Sequence, residues 1–584
     1  MAKIPERFLE SKRYKNLQTA LLGLRKEISF RRYLSLAIYS SALVAAIGLV
    51  GGYFFFSWSG QDFVASFSLA FIMALALGPL TYWMFLKYPS ITLSGRKAQI
   101  DSMLPHSVAY MYALNKGGSE VTDIFRSMSE DESQGEMAKE ARAVVRNIEY
   151  LGHNPISAIR EVARTTPSEK FRNFLELLAS TVTTSGDIGR YLETKCRQFY
   201  DEAGAAQRRM LDSLGMMAEF YVILLGLGPL LAVILLIIFG LIGTFQISTL
   251  YIFIYLLIPI GFAFFLVLIS RFSISPGWVR PARKTESRVR SVKKGELMKA
   301  FEKDRFLKTV KKLWWSFHTK PTLIFFVTVP VAVIFALVQL GQFSTTTVFL
   351  AVLISVLPFV FFYEAKRKRT EKIEDSFPDF LMSLSSSIAS GLTPAQAIKS
   401  ASATQLGPLS SELGRVSGEM GWGASTSEAI SDFDKRVGSG MVSRSTRVMK
   451  KAIAASGEIS DVVNILAIDA STTRSLRRER MGTMVTYIVV VYISVLVFIF
   501  TAGLISTSLF ALAPAPTTPT AGMLGGAGLP QEEIKLLLFH ASLIQGFCAG
   551  LVAGQLGSGD IWSGLKHSVM MIVLAYVIFH VWIL

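Results

Sequence analysis

The sequence predicts an all-α polytopic membrane protein: about nine transmembrane helices and two duplicated, cytoplasmic, antiparallel helical-bundle domains. Three observations predict it. Hydrophobic residues make up 51% of the 584 and charged residues only 18%, too apolar for a soluble multidomain enzyme. Of the 60 lysines and arginines, 58 fall in four segments. Landmark residues recur 271 to 273 positions apart.

A hydrocarbon core about 30 Å thick needs about 20 apolar residues of helix. Nine stretches meet that test: 34–56, 63–86, 216–243, 249–270, 322–342, 345–363, 483–510, 534–556 and 567–584. The third holds a single ionisable group, Glu219, near one end. The last two are the weakest, since both contain Gly or His and the final one is short for a span. The N-terminal "MAKIPERFLE" lacks the apolar stretch of a cleaved signal, so the first span itself is expected to direct insertion.

Residues 1–33, 87–213, 271–320 and 364–482 hold the 58 basic residues and lie on one side of the nine spans. The positive-inside rule makes that side cytoplasmic. With an odd number of spans the N-terminus is inside and the C-terminus outside, in the cell membrane. The domains expected are a basic amphipathic segment (1–33), a span pair (34–86), helical domain 1 (87–213), a span pair (214–270) and a basic linker (271–320). After them come a span pair (321–363), helical domain 2 (364–482) and further spans (483–584), with an uncharged Pro/Gly-rich outer loop at 511–530. In the first segment Tyr14, Leu17, Leu21, Leu24 and Ile28 form an apolar helix stripe, which lies on the membrane or packs on the first domain.

The two helical domains read as copies. Pro105 and Gly118 recur as Pro378 and Gly391; further on, Gly186 and Ile188 recur as Gly457 and Ile459. Each copy reads as an antiparallel bundle of about six helices. Asn154-Pro155, Thr166-Pro-Ser-Glu169 and Thr393-Pro-Ala-Gln396 each place a capping side chain before Pro, and the last two look like capping boxes. Ser185-Gly186-Asp187 and Ser456-Gly457-Glu458 form matching corners. There a helix is expected to end on a left-handed glycine, and the acid to open the next helix against its dipole. Each corner's residues have either a structural role or a direct contact with a partner.

Two tandem helical domains on paired spans, with "LPHSVAYMYALNKGG" opening the first and SG(D/E) in both, resemble the type II secretion system F-domain family. The fused two-domain form is similar to the archaeal membrane platform proteins of the archaellum and of type IV pili. The second copy departs from the first at Ser390, which stands for Gly117, and at "GWGAS", which stands for "GHNP". The resemblance implies a platform that couples a cytoplasmic hexameric secretion ATPase to assembly of pilin or archaellin subunits. It leaves open one copy or a homodimer.

Catalytic signatures are missing: there is no Gly-Lys dipeptide for a phosphate loop, no HExxH and no CxxC, so no enzyme activity, cofactor or metal is expected. The rival reading is a polytopic transporter with duplicated modules, whose intramembrane candidates would be Glu219, His540 and His580. A receptor is less well served, because no outer ligand domain is recognisable. The linker carries 15 basic and 4 acidic residues. Lys293, Lys294, Lys311 and Lys312 therefore face lipid headgroups or an acidic surface of the ATPase. Nucleic acid is not an expected partner, since aromatics do not interleave the basic residues.

Overall fold

The computed structural model describes residues 17, 21, 23, 30–58, 62–131, 134–184, 186–241, 247–272, 321–339, 345–455, 458–509 and 531–582. They are 92% helical, with no strand among them, and include nine helices long and apolar enough to cross a membrane. The basic linker, the 511–530 loop, Ser185, Ser456 and Gly457 lie outside the described residues.

Helices α1 (Phe30–Trp58) and α2 (Phe63–Lys116) form the first span pair, and α2 continues into the first bundle, module 1. Module 1 adds α3 (Val121–Glu130), α4 (Glu136–Glu149), α5 (Pro155–Thr165), α6 (Glu169–Thr183) and the start of α7 (Ile188–Tyr221). A π-helical stretch, Val222–Leu227, joins α7 to α8 (Gly228–Leu241). Next come α9 (Ile247–Ile252), a second π stretch (Phe253–Leu257), α10 (Ile258–Phe272) and α11 (Phe325–Val338). Helix α12 (Thr345–Ala389) enters module 2, which adds α13 (Pro394–Ser402), α14 (Pro408–Gly421), α15 (Thr426–Val437), α16 (Gly440–Ala455) and α17 (Ile459–Leu504). A third π stretch (Ile505–Leu509) ends α17, and α18 (Gln531–Ser558) and α19 (Ile561–Trp582) complete the chain.

The five helices after the first in each module begin at Val121/Pro394, Glu136/Pro408, Pro155/Thr426, Glu169/Gly440 and Ile188/Ile459, separations of 273, 272, 271, 271 and 271. The second copy is thus shorter by one residue before its α14 and by one more before its α15. Both losses fall at connections, where length varies at little cost.

The expected domain edges near 87, 214, 364 and 483 fall inside continuous helices. At the first of these edges the helix continues through Pro89. Proline removes the N–H that would bond the carbonyl four residues earlier, which ordinarily breaks a helix. Here that carbonyl, of Phe85, accepts from the Tyr33 hydroxyl at 2.8 Å, so α2 runs through. Leu17 and Leu21 are buried with Tyr33 against Phe30, Phe85, Leu86 and Leu93, so these two residues of the N-terminal stripe pack on α1 and α2, while Tyr14, Leu24 and Ile28 lie outside the described residues.

The cap expected at Thr166 is instead at Ser168, whose hydroxyl accepts from the Phe171 N–H at 3.1 Å. Thr166 caps the end of α5, and Pro167 lies in the connection instead of at the head of α6. Asn154 caps α5 and Thr393 forms a capping box with Gln396. Ser425 and Glu428 form a further box that the sequence reading missed.

The chain divides into two compact units. One contains residues 1–199 with 451–462, and the other contains 200–275, most of 283–450 and 463–584. In the second, α18 is the most enclosed of the spans. It makes a hairpin with α19 in which Gly550 meets Ser568 and Gly554 meets Gly564 backbone to backbone, with no room for a Cβ. Small residues are what lets membrane helices approach so closely. The final span consequently starts at Ile561, six residues before the expected 567, because Ser563 and Gly564 face α18. Gln545 on α18 donates to the Leu225 carbonyl at 2.6 Å. That carbonyl lies in the π stretch, where the wider turn displaces the usual helical bond.

Candidate functional site: the duplicated polar modules

Each module is held by the same buried polar frame, which the sequence reading did not pick out. In module 1, Arg96 on α2 pairs with Glu140 on α4 at 2.5 Å and with Glu136 at 2.7 Å, and donates to the Gly23 carbonyl. Arg96 is buried and Glu140 is wholly enclosed. In module 2 the residue 273 positions on, Arg369, pairs with Glu412 at 2.6 Å. Glu412 is also met by Arg436 at 3.0 Å and Arg415 at 3.2 Å. A buried carboxylate is tolerated only when paired, so these contacts fix how the first helix of each bundle lies on the third.

Burial of Glu136 would raise its pKa, but hydrogen bonds from Lys139 and Arg96 outweigh burial and hold its carboxyl below the usual range.

A second duplicated contact ties the first helix to the cap of the fifth. Ser168 donates to Asp101, and Ser439 donates to Glu374 at 2.5 Å. Glu374 is additionally paired with Arg477. Both bonds join residues that the repeat brings into register. The signal that could have found them was polar matches at 271 to 273, hidden because charged helix positions usually mark solvated faces.

Gly118 and Gly391, matched in sequence, take φ of +82° and +93°, and both follow the first bundle helix. The first corner differs from expectation. Gly186 is not left-handed. Helix α6 ends at Thr183, just short of where a left-handed Gly186 would end it, and Thr181, Thr183 and Thr184 bond back to the carbonyls of Leu177, Ala179 and Ser180 at 2.7 to 3.0 Å. The C-cap is Thr184, and Gly186 closes the end with an N–H bond to the Thr181 carbonyl at 3.0 Å. Its small size matters by approach: a Cβ there would stand 3.1 Å from Thr181 Cγ2.

Asp187 caps α7 by accepting from the Arg190 N–H at 3.0 Å. Glu458 is exposed at the head of α17, its carbonyl accepting from Val462 at 3.2 Å. The stretch around Glu458 packs on module 1: Lys451 pairs with Glu130 at 3.4 Å, and Val462 lies 3.6 Å from where a Gly117 Cβ would stand.

The turn after the third helix of each bundle carries large exposed side chains. Tyr150 and Leu151 are 82% and 60% exposed in module 1, and Trp422 is 95% exposed in module 2. Each is followed by a left-handed glycine, Gly152 (φ +66°) and Gly423 (φ +90°). In module 1 a cavity of about 460 Å³ beside the turn is lined by His153, Asn154, Arg160, Glu161, Arg164 and Thr183, among others.

Lys293, Lys294, Lys311 and Lys312, like Ser185, Ser456 and Gly457, lie outside the described residues. Among the described residues no cluster of His, Cys, Asp and Glu could hold a metal ion. Of the transporter candidates, Glu219 is exposed on α7 and His540 meets the Tyr255 hydroxyl.

A family model for the type II secretion system (T2SS), protein F, matches the chain twice, over residues 108–236 and 380–507. The two bundles with their following spans thus correspond to two tandem protein F domains. The chain is 23% identical to an uncharacterised protein of Methanocaldococcus jannaschii over 513 residues, 85% of this chain and 82% of that one. It is 22% identical to flagella accessory protein J of the same organism over 417 residues, 69% of each. It is 23% identical to flagella accessory protein J of Methanococcus voltae over 207 residues, 34% of each. No solved structure matches. These findings support a membrane platform of the type II secretion and type IV pilus-like class.

Proposed function

We propose that this chain is the platform of an archaeal type IV pilus-like machine, an archaellum or a pilus. In this reading it couples a cytoplasmic hexameric ATPase to assembly of pilin or archaellin subunits. The observation that carries the reading is the pair of protein F domains in a chain similar to flagella accessory protein J. The modules face the cytoplasm by the positive-inside rule, and their far turns meet the ATPase. Trp and Tyr are the residue types that most often dominate protein contacts, and an almost fully exposed Trp422 has no role in the bundle's own core. The basic linker binds anionic lipid headgroups or adds to the ATPase surface.

Co-purification from membranes tests the reading. Leu151→Ala with Trp422→Ala should weaken ATPase binding by about 2 kcal/mol or more, the cost of losing a contact hot spot, with the protein still abundant in the membrane. Full retention of the ATPase would remove the turns from the interface, and absence of any ATPase or filament subunit from the parent protein's complexes would remove the platform reading. Reversing Lys293, Lys294, Lys311 and Lys312 to Glu separates the two linker roles. Lost ATPase at unchanged insertion favours protein contact, whereas retained ATPase leaves lipid. At the corners, Asp187→Asn or Glu458→Gln that stops filament assembly at unchanged melting temperature marks a partner contact, and normal assembly marks a structural one.

A further inference from the structure

The helices that lead out of the two modules lie against each other, α7 from Tyr200 on and α17 from Val463 on, inside one compact unit. Tyr200 donates to Asp469, Gln207 donates to the Leu476 carbonyl at 2.5 Å, and Arg208 pairs with Glu479 at 3.0 Å. The sequence separations of these partners are 269, 269 and 271, and the repeat offset in this stretch is 271. Towards the membrane, the space where a Gly215 side chain would lie is filled by the Tyr487 ring, and a Gly226 Cβ would stand 3.1 Å from Ser494 Cβ. The two helices are therefore parallel and in register, and each residue meets the neighbourhood of its own duplicate, as at a two-fold axis.

The copies have diverged at this seam in complementary ways. Arg208 and Glu479 occupy equivalent positions and carry opposite charges. Tyr487 projects where Gly215 recedes, and the residue of α17 equivalent to Gly215 is Thr486. A pair of module 1 helices from two chains would set Arg208 against Arg208 and bring Met216, the counterpart of Tyr487, to Gly215. A pair of module 2 helices would set Glu479 against Glu479 and drive Tyr487 into Thr486. Specificity needs this kind of penalty on the wrong pairing as well as attraction in the right one.

We propose that this seam is a pairing surface whose partner is the other copy within the same chain, and that it excludes the like module of a second chain. A single polypeptide then closes the two-fold pair, and a symmetric partner is offered two non-identical modules by one molecule.

Cross-linking of the full-length protein in membranes tests this. Cys196 and Cys548 are replaced by Ser, Gly204→Cys and Leu476→Cys are introduced, and a protease site is placed in the 271–320 segment. Gly204 faces Leu476 across the seam, so oxidation should join the two halves of one chain. After cleavage the halves should stay together at the mass of a single chain, and neither single-cysteine variant should give a covalent dimer. Adding Arg208→Glu should lower the cross-linked fraction about two- to fivefold, and adding Glu479→Arg as well should restore it, with the opposed charges exchanged. Recovery in the double reversal separates pairing from misfolding. Covalent dimers from a single-cysteine variant, halves that separate after cleavage, or cross-linking indifferent to Arg208→Glu would each overturn the proposal.

Discussion

Modules 1 and 2 use one buried frame but brace it differently, and the difference shows which parts of a duplicated domain are free to drift. In module 1 the carboxylate of Glu140 is met by Arg96, itself buried and tied to Glu136 and Gly23. In module 2 Glu412 is met by three arginines, Arg369, Arg415 and Arg436, all more open to water. The charge pairing is retained where helices cross in the interior. Its redundancy, the exposed turns and the seam between α7 and α17 have changed. A duplication thus keeps the contacts that each copy needs alone and diverges where the copies meet something else.

The largest test of this contrast removes one arginine from each frame. Arg96→Ala takes away the guanidinium facing a fully enclosed carboxylate, and breaking a buried pair in this way costs about 3–5 kcal/mol. Arg369→Ala leaves Glu412 with Arg436 and Arg415, so its cost should be about 1 kcal/mol, near that of an exposed pair. Melting temperatures of the detergent-solubilised variants measure the two. Equal losses would show that the extra arginines of module 2 add no bracing.

The glycines give a middle-sized effect. Gly118→Ala and Gly391→Ala force a Cβ into left-handed backbone in both modules and should each cost about 1–2 kcal/mol. Gly186→Ala needs only that Thr181 give way by a few tenths of an ångström, so its loss should be smaller than either. The same melting series checks the order, and a larger loss at Gly186 would show that the corner depends on glycine more than its backbone implies.

The smallest effect is pH-dependent and confined to module 1. Because the folded pKa of Glu136 is lowered, its stabilisation is present above the unfolded carboxylate value of about 4.3 and fades as pH falls through the lowered folded value. Glu136→Gln should therefore melt lower than the parent at pH 7, and the gap should close on acidification below about pH 4. A gap that is constant with pH would mean that packing at this position matters more than charge.

The spans and the duplication were legible because they rest on composition and on repeated spacing, which need no tertiary information. Continuity of α2 through Pro89 was not, since it depends on the Tyr33 hydroxyl reaching Phe85 from a residue 52 positions away. The polar frame was visible only as Arg96/Arg369 and Glu140/Glu412 in register, a pattern no different in sequence from surface charge until burial is known. At the corner, α6 ends at Thr183, short of the point the glycine signal marks, and at Ser168 the cap fell two residues beyond the Thr-Pro that resembled one.

A platform role requires above all that both modules stand on one side of the membrane, the cytoplasmic side. Labelling with an impermeant thiol reagent tests this directly, using Leu151→Cys and Trp422→Cys for the two exposed turns and Thr517→Cys and Ser344→Cys for the connections expected outside. In intact cells Cys at 517 and 344 should react and Cys at 151 and 422 should not, whereas in inverted membrane vesicles the pattern should reverse. Reaction at either module turn in intact cells would contradict the platform role.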